Sequence, residues 1–145
     1  MQRVDGARIS VDGRLISSIG KGVLVFLGVE RGDSVTDADY LLEKIINLRI
    51  FEDREGKMNL SLLDILGEML VVSQFTLLAD CRKGRRPSFI QAEESEQARR
   101  LYEYFISRGQ EKVCGVAAGE FQAMMKIEMI NDGPVTMLLD SRKVF

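Results

Sequence analysis

Residues 8–17, "RISVDGRLIS", decide how the rest of the chain is read. Apolar and polar side chains alternate on both sides of Asp12-Gly13, the strongest short-range signature of a β-hairpin. A second turn, Gly20-Lys21-Gly22, leads into "VLVFLGV" at 23–29, a continuous apolar run that reads as a buried central strand. The period then changes. Val35, Ala38, Leu41, Leu42, Ile45 and Ile46 recur at three- and four-residue spacing, which predicts an amphipathic helix over 34–48 that Asp33 or Ser34 can cap. "LRIF" (48–51) and "MLVVSQFTLL" (69–78) read as strands, with a turn at 53–56 between them. A second helix is predicted over 93–108, with Ala98, Leu101, Tyr102 and Phe105 on one face and Gly109 just past its end. After a Gly-punctuated link, "AMMKIEMI" and "VTMLLD" read as two strands flanking the turn "NDGP". The pattern predicts one α+β domain over 1–145: a mostly antiparallel, barrel-like sheet with two principal helices.

Composition narrows the chemistry. The chain has 145 residues, 46% hydrophobic and 29% charged, enough for one domain with its own core. No apolar run approaches the ~18 residues of a membrane span, and the N-terminus lacks the apolar segment of a secretory signal. Two cysteines, Cys81 and Cys114, fit reduced thiols in a cytoplasmic protein better than a disulfide framework. Histidine is absent altogether, which removes Ser-His-Asp and Cys-His catalysis and every His-bearing metal site. The carboxylates Asp39, Glu43, Glu52 and Asp53 form no convincing metal set, so neither metal nor other cofactor is expected.

Three stretches remain as candidates for chemistry. Arg82, Lys83, Arg85 and Arg86 concentrate positive charge in one loop, either a solvated turn or a contact for a phosphate backbone. "SQFT" (73–76) gathers two hydroxyls, an amide and backbone N–H groups, which either suit a strand or position a carbonyl, water or oxyanion. "NDGPVT" (131–136) is either a plain hairpin turn or a segment in which Gly133 and Pro134, with an X–Pro bond free to be cis, present bare carbonyls. Met124, Met125 and Met129 read as core or gap-filling residues, and Cys81, with no base beside it, does not read as a nucleophile.

Together these stretches are specific. "QRV" (2–4), "RIFEDREGKMNLSL" (49–62), "VVSQFTLLAD" (71–80), "RRPSF" (85–89) and "NDGPVT" resemble, in order and spacing, the motifs of the D-aminoacyl-tRNA deacylases, and the resemblance spans essentially the whole chain. It implies a cytoplasmic homodimer that hydrolyses the ester joining a D-amino acid to the terminal adenosine of tRNA, with Gly-tRNA(Ala) as a further substrate. It implies that Ser73, Gln74, Phe75 and Thr76 line the reaction centre. Gly133 and Pro134, cis and inserted into the partner's pocket, would exclude L-amino acids. Phe121, Met125 and Ala98 would shape the adenosine and aminoacyl pocket, and Arg3 would brace the Gly-Pro segment. Arg82, Lys83, Arg85 and Arg86 would hold the acceptor end of the tRNA. Chemistry would be assisted by the substrate's own 2′-hydroxyl, with Thr76 as nucleophile the older alternative. Members usually carry several residues before "QRV", so Arg3 is expected near a fraying end. The rival reading is a non-catalytic RNA-binding module using the 82–86 loop.

Overall fold

The computed structural model describes residues 1–144. The expected hairpin forms: β1 (Gln2–Val11) pairs antiparallel with β2 (Arg14–Ile19), and Asp12 and Gly13 take the positive φ values, 49° and 77°, of a tight primed turn. β3 (Gly22–Leu27) then lies beside the first residues of β1, so one long strand carries two short ones along the same edge.

α1 (Val35–Asn47) starts at Ser34, whose backbone N–H and hydroxyl both donate to the Asp37 carboxylate at 2.8 Å, which holds that carboxyl below its ordinary range. It buries Leu42, Ile45 and Ile46 as the periodicity predicts. "LRIF" contributes less than expected, because β4 is only Phe51–Glu52 and closes a small hairpin with β5 (Met58–Leu60), apart from the main sheet.

β6 (Glu68–Ser73) runs parallel to β3 from Gly22↔Glu68 to Leu27↔Ser73. The two backbones are close: a Cβ on Gly22 would lie 1.9 Å from the Glu68 carbonyl oxygen. The predicted strand over 69–78 stops early. Gln74 N–H donates to the Leu27 carbonyl at 2.8 Å, β3 has no further residue to offer, and the chain turns into a short 3-10 helix, Phe75–Leu78. α2 (Ser95–Gln110) follows, burying Leu101, Tyr102 and Phe105. Gly109 belongs to its last turn rather than lying beyond it. A Cβ there would sit 2.8 Å from the Met69 methyl carbon, so its absence lets helix and sheet approach.

The link after α2 contains a strand that the sequence pattern did not reveal, β7 (Gly115–Ala118), parallel to β6. Three antiparallel pairings against two parallel ones keep the main sheet mostly antiparallel. Ser17 Oγ donates to the Ala118 carbonyl at 2.9 Å, drawing β2 toward β7 and nearly closing the sheet into a barrel. Val4, Ala7, Ile9, Ile19, Leu24, Leu70 and Val72 pack as one cluster, while Val23, Val25, Met69 and Val71, on the alternate face, pack with both helices.

The hairpin expected at "NDGP" does not form. β8 runs from Met125 to Thr136 as one strand and pairs with β1 from Val11↔Met125 to Gln2↔Thr136, with register shifts on either side of Val4. Val4 opposes Asn131 and Gln2 opposes Thr136, so Asp132, Gly133, Pro134 and Val135 face the single residue Arg3. The proline is tolerated because it stands in this four-residue bulge, outside the ladder. Met124 precedes β8 and is 89% exposed, and Met129 is exposed too, so neither is core. The amino terminus is held rather than frayed: the Met1 ammonium donates to the Met137 carbonyl at 2.7 Å, and Met137 N–H donates back to Met1 at 3.0 Å.

Candidate active site

The bulge is built by two consecutive residues of β1. Arg3 is 4% exposed, donating from Nη1 to the Ile50 carbonyl at 2.6 Å and from Nε to the Asp132 carboxylate at 3.0 Å. Its Nε also lies 3.2 Å from the Asp132 carbonyl oxygen. A guanidinium this deep requires such partners, since an unpaired buried charge is strongly destabilising. The adjacent Gln2 holds the opposite face, accepting from Asn131 and Thr136. The Gly133–Pro134 peptide bond is cis, and both residues are exposed. Gly133 has φ +119°, and a Cβ on it would fall 2.8 Å from Val135 Cγ2 and 3.0 Å from an Arg3 guanidinium nitrogen. Only glycine fits without moving the segment.

A second group of the expected residues gathers around Tyr102. Its hydroxyl donates to the Val71 carbonyl at 2.9 Å, with the Gly119 carbonyl at 3.3 Å, and burial pushes its pKa up to about 12. Gly119 N–H also donates to Val71, at 2.9 Å, fastening the 119–124 turn to β6 just before Ser73. The Phe121 ring packs 5.7 Å from Tyr102, the Arg99 guanidinium sits 4.9 Å over Phe121, and Gln122 donates to Ser95. Phe121, Met125, Ser73 and Ala98 are each half-buried around this point, where side chains are both fixed and reachable.

Beyond Ser73 the "SQFT" residues form a rim. Gln74 Nε2 donates to the Thr76 hydroxyl at 3.1 Å, and the 58%-exposed Phe75 meets Phe89 edge-on at 5.1 Å. No carboxylate, lysine or other base bonds to Thr76 among the described residues. The basic loop follows, closed at its base by reciprocal backbone bonds between Asp80 and Ser88 at 2.8 and 3.0 Å. Arg82 is not free: Nε and Nη2 grip the two Asp80 oxygens at 2.9 and 2.7 Å, which holds that carboxyl well below its usual range. Lys83, Arg85 and Arg86 are exposed and form no ion pair among the described residues.

Not all candidates meet within the chain. β1 pairs Val11 with Met125 at one end and Val4 with Asn131 at the other. Those seven steps span roughly 23 Å of strand, and Gly133–Pro134 lies beyond the second. The residues that sequence reasoning missed, Gln2, Ile50, Tyr102, Asn131 and Asp132, all hold the candidates by hydrogen bonds or an ion pair. Gln2 adjoins Arg3 in "QRV", and Asn131 and Asp132 open "NDGPVT", but no spacing rule places them against each other across about 130 residues. Among the described residues, no group of three or more His, Cys, Asp or Glu side chains is placed to hold a metal, and no helix is long and apolar enough to cross a membrane.

A D-aminoacyl-tRNA deacylase of Syntrophus aciditrophicus is 64% identical over 145 residues, covering all of this chain and 97% of its own length. One from Thermosipho melanesiensis is 56% identical over 146 residues, with the same coverage. Among solved structures, a c-Myc DNA unwinding element binding protein superposes with a TM-score of 0.89 at 40% identity, over 94% of this chain and 93% of that one. A probable eukaryotic D-amino acid tRNA deacylase, 17% identical with a TM-score of 0.78 over 91% and 92% of the two chains, shares the fold. The sequence profile of D-Tyr-tRNA(Tyr) deacylases matches residues 1–140, and the chain belongs to that family.

Proposed function

We propose that the protein hydrolyses the ester of D-aminoacyl-tRNA, releasing the D-amino acid and free tRNA, and that L-aminoacyl-tRNA is rejected by the Gly133–Pro134 segment of a partner subunit. The observation that carries this reading is the separation along β8. The Phe121 and Met125 side chains, just before and at the start of β8, and the exposed Gly133–Pro134 tip, near its end, stand far apart along one strand, so a site using both takes one from each of two copies. Exposed apolar side chains on both sides of the tip, Ile130 at 66% and Leu138 at 70%, suit such a contact.

In this reading, Phe121, Met125 and Ala98 receive the terminal adenosine and aminoacyl group, and the rim Ser73–Thr76 surrounds the ester. An aminoacyl ester is already activated, so a chain without histidine needs chiefly to hold it, admit water and stabilise the oxyanion. Water attacks the ester carbonyl, and the ribose oxygen departs and takes a proton. The neighbouring ribose hydroxyl assists, since among the described residues no base stands beside Thr76 to deprotonate it, and Gln74 only donates to its oxygen. Backbone carbonyls of the tip bind the substrate ammonium and occupy the space an L side chain needs. Glycine has no side chain to exclude, so Gly-tRNA(Ala) is also a substrate. Lys83, Arg85 and Arg86 grip acceptor-end phosphates, and Arg82 chiefly shapes their loop. The setting is cytoplasmic, in keeping with two free cysteines.

Incubating the protein with D-Tyr-tRNA and L-Tyr-tRNA tests the reading: release of tyrosine from the D-ester alone supports it. Equal rates or no release of either sink it, and tRNA binding without release would favour the RNA-binding module. Sedimentation that found only monomer at working concentration would remove the shared site.

A further inference from the structure

The four extra residues of β8 have no ladder partners, and their position is set by whatever ties their two roots. Arg3 ties one. Among the described residues, its hydrogen bonds within the segment all go to Asp132, before the glycine, and none goes to the residues after Pro134. We propose that Gln2 ties both, as a positioning residue that sets the stereochemical selectivity of the site. The inference rests on the function proposed above.

One amide oxygen does the tying. Gln2 Oε1 accepts from Asn131 Nδ2 at 2.7 Å and from Thr136 Oγ1 at 2.6 Å, the residues on either side of the bulge. Asn131 Oδ1 in turn accepts from Val135 N–H at 3.2 Å. The bonds Thr136–Gln2–Asn131–Val135 therefore close a ring around Asp132, Gly133 and Pro134. Gln2 is fixed in its own place, because its backbone pairs with Leu24 on one side and Thr136 on the other. Successive side chains of a strand point to opposite faces, so Gln2 and Arg3 hold the segment from the two sides. Two features of glutamine matter here: its length, and an oxygen with two lone pairs.

The consequence concerns rejection more than turnover. If the roots loosen, the tip carbonyls shift and hold the ammonium of either ester less well. Space opens only where an L side chain would lie, so the L-ester gains relative to the D-ester. Gln2→Met keeps the length and removes the acceptor. It should raise L-ester hydrolysis relative to D-ester hydrolysis by about tenfold, the scale of one or two lost hydrogen bonds. Gln2→Glu retains an oxygen for both donors and should stay within about twofold of the parent ratio.

The experiment measures D-Tyr-tRNA and L-Tyr-tRNA hydrolysis by the parent, Gln2→Met, Gln2→Glu and Thr136→Val, with thermal melting of each. Thr136→Val, which keeps the other bond, covers the case in which Gln2→Met does not fold, and should give an intermediate ratio. A parent without discrimination fails the proposed function itself. A discriminating parent whose folded variants keep its ratio, with both rates unchanged or lowered together, overturns the role of Gln2 alone.

Discussion

The Gly-Pro bulge and the basic loop are both irregular, exposed and rich in turn residues, yet they are built by opposite means. The bulge owes its shape to side chains about 130 residues away, and what it presents is backbone. The loop is closed locally by Asp80 and Ser88, and what it presents is the charge of Lys83, Arg85 and Arg86. A segment that discriminates by shape has to be fixed to fractions of an ångström, whereas one that attracts phosphate works through a field reaching about 8–10 Å. Changes in the first should alter which ester is cleaved and how fast. Changes in the second should alter only how tightly tRNA is held.

The largest effect expected is at Gly133. Gly133→Ala places a methyl group against Val135 and Arg3, so the tip has to move, and single-turnover hydrolysis of the D-ester should fall about 100-fold, the usual consequence of a 1 Å misplacement. A folded variant at parental rate would break the comparison. Next is Arg3→Met, which strips partners from the Ile50 carbonyl and the Asp132 carboxylate. Urea unfolding should show a loss of about 2 kcal/mol, below the range for fully buried pairs because Asp132 is 33% exposed. Replacing Lys83, Arg85 and Arg86 together by alanine should raise KM for aminoacyl-tRNA about tenfold at low salt, flatten its salt dependence and leave kcat unchanged. The smallest effect is expected for Arg82→Ala, a change in KM of about twofold or less, because Asp80 already engages that guanidinium. If Arg82→Ala matched the triple replacement, the division between free and engaged cations would be wrong.

Sequence pattern reached as far as local rules do. The Asp12-Gly13 hairpin, the central strand over 23–29 and both helices follow from period and turn chemistry, which act within a few residues. β7 escaped because "GVAA" is too short and too small in side chains to show a period, and its identity comes from lying beside β6. Gly109 reads as a helix stop but serves as a clearance for Met69, a contact with no local trace. "NDGP" satisfies every rule for a hairpin, and pairing with β1 overrides them. The site divides likewise. "SQFT", "NDGPVT" and the basic loop stood out in the sequence as candidates, but the side chains bonded around them, Tyr102, Gln2 and Asp132, are ordinary residue types whose partners only the fold supplies.

The opposed ends of β8 have one more consequence, in terms of mixed assemblies. If each site takes its pocket from one copy and its tip from another, a chain damaged at Gly133 and a chain damaged at Phe121 are defective in different halves. Exchanged at equal amounts, they would form hybrids in half of all pairs, and each hybrid would contain one sound site and one doubly damaged. Two inactive preparations would then recover about a quarter of the parental activity on mixing, the fraction that random pairing of two-fold assemblies dictates.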